Sequence, residues 1–167
     1  MNFSKSPNPS PLDEAKALNK AAALCVKQEM CVSQIRTKLD RWLVEPEAQE
    51  RSIARLLSER YIDEARFAVA YARDKFRYNG WGPLRIARQL RLLHIADAHR
   101  RAALEELPAE EQTDALARLL EKKAASVTGK NAYERRGKLI RFALSRGFEM
   151  DDILRNLPRD LDADDEW

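Results

Sequence analysis

The side chains of this chain best suited to binding are basic ones concentrated in its middle. Residues 66–101 carry nine basic and two acidic residues, a local charge of +7, while the whole chain carries only +3. Residues 1–65 carry ten of each sign, and residues 102–167 carry eleven basic and fifteen acidic residues. This uneven distribution indicates a polyanion or an acidic protein surface as the partner. The candidate contacts in this run are Arg73, Lys75, Arg77, Arg85, Arg88 and Arg91.

An ordinary solvated face is the alternative reading of such a run. The scarcity of acidic residues between the basic ones favours binding over that alternative. If phosphates are the ligand, neutralising several of them releases counterions and makes binding steeply dependent on salt.

Aromatic residues are interleaved with the basic run, at Phe76, Tyr78 and Trp81. Aromatic side chains among cations can stack on unpaired bases. The alternative is that Phe76 and Trp81 pack the corner between two helices, beside Gly80 and Gly82. We expect packing for those two residues, and we expect Tyr78 to be exposed and to contribute to binding.

A second and weaker basic cluster lies near the end of the chain. Its candidate contacts are Arg135, Lys138 and Arg141, with Arg136 and Arg146 close by. The plain alternative is the solvated face of an amphipathic helix.

No pattern in the sequence indicates catalysis or a metal site. Asp63 and Glu64 are adjacent, so they point in different directions on a helix, and we interpret them as an N-cap and a first-turn acid. Cys25 and Cys31 form no CxxC pair and are expected to be reduced thiols. His94 also lacks a metal-ligand spacing. We therefore expect no enzyme activity, no cofactor and no metal.

The elements that position these residues are predicted to be helices in three repeats. Apolar pairs four residues apart recur at Ile35–Leu39, Ile86–Leu90 and Ile140–Leu144, at spacings of 51 and 54 residues. Each pair lies on one helical face, and no stretch alternates as a strand would. The predicted fold is therefore all-α, a tandem array of three three-helix modules forming an elongated, curved array.

The predicted domain boundaries follow this repeat. They are a disordered leader at 1–12, a first module at 13–60, a second, basic module at 61–108, a third module at 109–157 and an acidic tail at 158–167. In the second module the helical phase puts Ile86 and Leu90 on the core side, and it puts Arg85, Arg88 and Arg91 on the solvent side.

The location expected for this chain is the cytoplasm. No apolar run approaches the ~20 residues that span a bilayer. The first eleven residues, MNFSKSPNPSP, lack the apolar core of a signal peptide.

Three segments resemble the RecX family of bacterial recombinase regulators. They are residues 61–68 (YIDEARFA), 82–90 (GPLRIARQL) and 138–148 (KLIRFALSRGF), the last followed by Asp152-Ile153. Their order and spacing fit that family over roughly residues 20–157. One departure is Leu93-His94-Ile95, where the family commonly has glycine before the apolar residue, so we expect that helix end to be shaped differently.

The resemblance implies a partner and a role. Family members bind the RecA recombinase polymerised on single-stranded DNA, block extension of that filament or favour its disassembly, and so restrain recombination and RecA coprotease activity. The chain is accordingly expected to be a monomeric, non-enzymatic RecA regulator with at most weak direct DNA binding. The alternative is a helical nucleic-acid-binding protein that acts without a recombinase partner.

Overall fold

The fold of the described part of the chain, residues 10–161 of a computed structural model, is entirely helical. These residues form nine α-helices, a terminal 3-10 turn and no strand, as the repeat predicted. The helices are α1 (Glu14–Lys27), α2 (Val32–Arg41), α3 (Pro46–Ser58), α4 (Glu64–Asn79), α5 (Pro83–Leu92), α6 (Asp97–Glu105), α7 (Ala109–Ala124), α8 (Ala132–Arg146) and α9 (Met150–Asn156).

The chain packs as two compact units, one ending at Phe67 and one beginning at Ala68. In the first unit, Ile35 and Leu39 of α2 share a core with residues of α1 and α3. In the second unit, Leu139 of α8 belongs to a core formed by α7, α8 and α9. The division into three modules at residues 60 and 108 stays a prediction. The predicted leader and acidic tail lie mostly outside the described residues.

The acidic pair at the start of α4 has a structural role in the first unit. Asp63 caps the helix because its Oδ1 accepts a hydrogen bond from the Arg66 N–H at 3.0 Å, which lowers the pKa of this carboxyl group. Glu64 Oε1 accepts from the Val32 N–H at the start of α2, at 3.2 Å. Arg66 forms an ion pair with Glu29 at 2.6 Å. The predicted capping role of Asp63 is confirmed.

Three helices end in the same backbone turn. A residue in the left-handed region follows the helix in each case, at Leu43 (φ 56°), His94 (φ 60°) and Gly147 (φ 92°). The next residue then donates its N–H to a carbonyl five positions back, in the pairs Val44–Leu39, Ile95–Leu90 and Phe148–Ala143. The expectation of a different helix end at His94 is therefore wrong, because histidine adopts the conformation that glycine favours, at a cost of about 1 kcal/mol.

This shared turn corrects the phase of the third repeat. When the three turns are aligned, Leu139 and Ala143 occupy the repeat positions equivalent to the pairs Ile35–Leu39 and Ile86–Leu90. The spacings between successive repeats are then 51 and 53 residues. Leu139 and Ala143 are buried, while Ile140 is only partly buried and Leu144 is exposed. The prediction of Ile140–Leu144 as the core pair is wrong by one residue, since the larger Leu144 is a stronger apolar signal than Ala143.

Two helices begin at residues that seldom cap a helix. The N-cap of α2 is Cys31, whose backbone N–H donates to Gln34 Oε1 at 3.2 Å. The N-cap of α6 is Ala96, so Asp97 lies in the first turn, where a negative charge still favours the helix dipole.

The phase of α8 can be tested by placing the same charge on its two faces. Leu139→Asp is expected to lower the free energy of unfolding by about 3 kcal/mol or more, since it buries an unpaired carboxylate. Leu144→Asp is expected to change it by less than about 1 kcal/mol. Urea unfolding followed by circular dichroism measures both, and equal losses would contradict the assigned phase.

Candidate partner-binding surface

Trp81 organises the corner between α4 and α5. Two cations lie over its ring, with Lys75 Nζ 5.1 Å and Arg85 Cζ 4.2 Å from the ring centroid. Trp81 is partly buried and Phe76 is buried, so the prediction that both pack this corner is confirmed. Lys75 and Arg85 are thereby held against the protein.

The start of α5 is joined to the end of α8 by their backbones. The Gly82 N–H donates to the Arg146 carbonyl at 2.7 Å, and the Leu84 N–H donates to the Gly147 carbonyl at 3.0 Å. A Cβ on Gly82 would lie 2.4 Å from the Gly147 oxygen, and one on Gly147 would lie 2.3 Å from Arg85 Cβ. Only residues without a side chain fit this contact.

Arg85 belongs to this contact and not to an open face. Its side chain is partly buried, and its Nη1 donates to the Ser145 carbonyl at 3.3 Å. The prediction that Arg85 shares a solvent-exposed face with Arg88 and Arg91 is corrected, because the close approach of Gly147 draws Arg85 toward Trp81 and α8.

Arg88 and Arg91 instead line an open groove between α5 and α6, of about 310 Å³. Arg100 and Arg101 line it from the α6 side, and its apolar surface comes from Leu84, Ala87 and Leu104. We call this set of residues, with Asp97, the basic groove. Arginine side chains beside apolar ones suit a ligand that is both acidic and partly apolar.

The charges in the basic groove are only partly neutralised. Asp97 pairs with Arg100 at 3.0 Å and with Arg101 at 2.8 Å. Arg88 and Arg91 are exposed, and neither forms an ion pair with any residue of the described range 10–161. These two guanidinium groups are therefore the ones available to a partner.

Arg100 and Arg101 are groove residues that sequence reasoning did not single out. Both lie within the basic run at 66–101, so the charge count included them. Their place in the groove could not be predicted from the sequence, because they belong to α6 and come close to α5 only when the two helices pack together.

The candidates on α4 have a different environment. Arg73 and Arg77 line a second groove together with Glu106 and Glu111, and Arg73 lies 3.9 Å from the Glu106 carboxylate. Tyr78 is 83% exposed, as predicted. The acidic residues balance the cations here, so this groove has less attraction for an anion than the basic groove.

The candidates on α8 separate into two groups. Lys138 Nζ donates to the Thr128 carbonyl at 2.6 Å and pairs with Glu134 at 3.2 Å. Arg135 is partly buried, and its Cγ would meet a Cβ added to Gly129 at 2.8 Å. Arg135 and Lys138 thus support the loop before α8, while Arg141 is exposed.

Other kinds of site are not seen in the residues that the structure describes. No group of three or more His, Cys, Asp or Glu side chains there could hold a metal ion. Both cysteines are free, and burial raises the pKa of the Cys25 thiol. None of the helices within residues 10–161 combines the length and apolar character needed to cross a membrane.

Successive helices with repeated C-terminal turns define a helical-repeat protein. The chain belongs to the RecX family. The family models of RecX's second and third three-helix domains match residues 63–104 and 110–157, together more than half of the chain.

Relatives named Regulatory protein RecX include one from Oceanobacillus iheyensis, 24% identical over 163 residues, which are 93% of this chain and 60% of the relative. One from Bacillus cytotoxicus is 32% identical over 101 residues, 60% of this chain and 37% of the relative. One from Leuconostoc mesenteroides is 26% identical over 82% of this chain and 51% of the relative. The chain thus spans no more than about 60% of these relatives' lengths.

Solved structures share the fold. A crystal structure of regulatory protein RecX superimposes with a TM-score of 0.79 at 22% identity, over 86% of this chain and 72% of that one. The crystal structure of RecX from Lactobacillus salivarius gives 0.75 at 22% identity, over 89% of this chain and 96% of that one.

The start of α8 is expected to respond to pH. The Lys130 N–H, 2.8 Å from Glu134 Oε2, and then Lys138 lower the pKa of Glu134, and Asn131 Oδ1 caps the helix by accepting from the Glu134 N–H. A lowered pKa in the folded state means that the stabilisation is present at neutral pH and is lost as pH falls below the ordinary glutamate pKa of about 4.3. Thermal unfolding should therefore show Glu134→Gln less stable than the parent at pH 7, with the gap closing near pH 3. A gap of equal size at both pH values would contradict this.

Proposed function

We propose that this chain is a negative regulator of RecA recombinase. In this proposal it binds the RecA filament on single-stranded DNA in the bacterial cytoplasm, blocks filament extension or promotes disassembly, and so restrains recombination and RecA coprotease activity. Membership of the RecX family supports the regulatory role, since the relatives carry the name Regulatory protein RecX.

The observation that supports a binding role most strongly is the basic groove. Two exposed guanidinium groups, those of Arg88 and Arg91, lie beside apolar lining residues of the groove, and no residue of the described range pairs with either. A nucleoprotein filament offers phosphates and protein carboxylates, and both are anions that arginine binds well. Acting by binding alone, the chain would occupy the position of the next RecA subunit or favour the dissociated form.

The repeat supplies further contacts for such a filament. Tyr78 and Arg141 are exposed on other helices of the same unit. Several weak contacts on one compact unit raise the overall affinity, because the later contacts form at a high effective concentration.

A second candidate function is nucleic-acid binding without a recombinase partner. The exposed Tyr78 ring next to the exposed Arg77 favours it, since an aromatic ring and a cation together suit an unpaired base and its phosphate. The steep salt dependence of phosphate binding would then dominate the affinity.

The test is ATP hydrolysis by RecA on single-stranded DNA, with this protein titrated in below the RecA concentration. We expect hydrolysis to fall at substoichiometric ratios, because one bound molecule affects many subunits of a filament. The double variant Arg88→Glu/Arg91→Glu is expected to need at least about fivefold more protein for the same effect, since charge reversal at an interface weakens association.

The matched control is Arg118→Glu/Lys122→Glu on α7. It makes the same change in net charge at two exposed cations that have no ion pair with a described residue. It should inhibit as the parent does. No inhibition by the parent, with salt-sensitive binding to bare DNA retained, would reject the RecA role and favour the second candidate. Equal loss in both double variants would reject the basic groove as the contact.

A further inference from the structure

The basic groove holds more positive charge than its own residues neutralise. Four arginines and one acidic residue line it, and that residue, Asp97, pairs with Arg100 and Arg101. Arg88 and Arg91 have no ion-pair partner among residues 10–161. Because like charges in one groove repel one another, a bound anion lowers the energy of this arrangement.

The groove also has an apolar part that remains in contact with water. Leu84 is 51% exposed, and it lines the groove together with Ala87 and Leu104. Covering these side chains is favourable, and a phosphate group alone has no apolar surface with which to cover them. At about 310 Å³ the groove is near the lower limit of ligand pockets, roughly 300–1,000 Å³, so a short stretch of chain suits it.

The sequence of this chain contains a stretch with both properties. Residues 162–167 read DADDEW, with four acidic residues, no basic residue and one tryptophan. They lie outside the described range 10–161, and we call them the DADDEW segment. Carboxylates form strong ion pairs with arginine, and the ring of Trp167 can cover leucine or lie against a guanidinium group.

The DADDEW segment begins directly after a residue that is fixed in the core. Leu161 is 5% exposed and packs with residues of α7, α8 and α9, in the same compact unit as the basic groove. Six extended residues span about 20 Å. A compact unit of about 100 residues has a radius of gyration of about 13 Å, so the segment can extend over a large part of this unit.

The charges of the neighbouring groove make it a poorer site for the DADDEW segment. The groove of Arg73 and Arg77 also contains the carboxylates of Glu106 and Glu111. These two groups repel an acidic segment, whereas the basic groove has only Asp97, which is already paired with two arginines.

We propose that the DADDEW segment binds the basic groove of its own chain and competes there with the anionic partner of the groove. Its carboxylates pair with Arg88 and Arg91, and the Trp167 ring covers the exposed side of Leu84. The segment thereby acts as an autoinhibitory contact on the basic groove.

A weak contact is sufficient for this role. A segment attached to the same unit is present at an effective concentration on the order of mM. Exposed ion pairs are individually weak and are screened by salt. The segment therefore occupies the groove when no competitor is present, and it is displaced by a partner that makes many contacts at once.

The test follows the indole N–H signal of Trp167 in ¹H–¹⁵N spectra of the ¹⁵N-labelled full chain. The chain has three tryptophans, and Trp167→Phe identifies the signal. A synthetic DADDEW peptide gives the position of the unbound indole. We expect the parent's signal to differ from that of the peptide at low salt. In Arg88→Glu/Arg91→Glu, and in the parent at 1 M salt, where the Debye length is about 3 Å, it should move to the peptide's position.

The matched control is Arg118→Glu/Lys122→Glu on α7, which makes the same change in charge outside the groove. It should leave the Trp167 signal at the parent's position. The proposal is overturned if the parent's signal coincides with that of the peptide, or if both double variants move it equally. A signal that moves to the peptide's position on dilution, with a dimer in sedimentation equilibrium, would also overturn it and would assign the segment to the groove of a second copy.

The regulatory consequence rests on the proposed function, in which the partner of the groove is the RecA filament. Asp165→Asn/Glu166→Gln removes two charges of the segment, so it should inhibit RecA ATP hydrolysis at no more than about half the protein concentration that the parent needs. The control Asp114→Asn/Glu121→Gln makes the same substitutions at two exposed residues of α7 and should inhibit as the parent does.

The two measurements separate the failure of this proposal from the failure of the proposed function. Inhibition by Asp165→Asn/Glu166→Gln that is no stronger than that of the parent would overturn the competition. If the parent does not inhibit RecA at all, the proposed function fails, while the Trp167 signal still decides whether the DADDEW segment occupies the groove.

Discussion

The backbone contact between Gly82 and Gly147 is the constraint on which the second unit depends. Two hydrogen bonds join the start of α5 to the end of α8, and no side chain fits between these two backbone segments. Because a Cβ added at either glycine would lie less than 3 Å from the facing chain, a side chain at either position would force the two helix ends apart. Beside this contact, Arg85 lies over the Trp81 ring, with its Cζ 4.2 Å from the ring centroid.

The contact also determines which arginines remain available to a partner. Arg85 is used in holding α8, so Arg88 and Arg91 are left to face the basic groove. The basic residues of α8 divide in the same way, since Lys138 is bound to the preceding loop while Arg141 is exposed to solvent. A run of basic residues in the sequence therefore contains two groups: cations that contact other parts of the protein, and cations that are free to contact a partner. Only the second group can account for binding.

Much of the architecture could be predicted from the sequence, because helical spacing and helix-ending residues are local signals. The all-α fold, the Asp63 cap and the Gly147 turn follow from such signals. The phase of α8 could not be predicted, since Leu139-Ile140 and Ala143-Leu144 offer two apolar faces and tertiary packing selects the smaller one. The roles of Arg85 and Arg100 depend on a contact 60 residues away and on the packing of α5 against α6, neither of which is a local property.

The most direct test of this account is hydrogen exchange at the amides of α5 and α8 in Gly82→Ala, compared with Gly80→Ala. An added Cβ at Gly80 meets nothing within 4 Å, so its cost is the strain of its positive φ alone. The account predicts that Gly82→Ala lowers protection in both helices together, by at least about tenfold more than Gly80→Ala does, because opening the contact exposes both helix ends. Equal protection in the two variants, or a loss confined to α5, would contradict the claim that this contact holds the unit together.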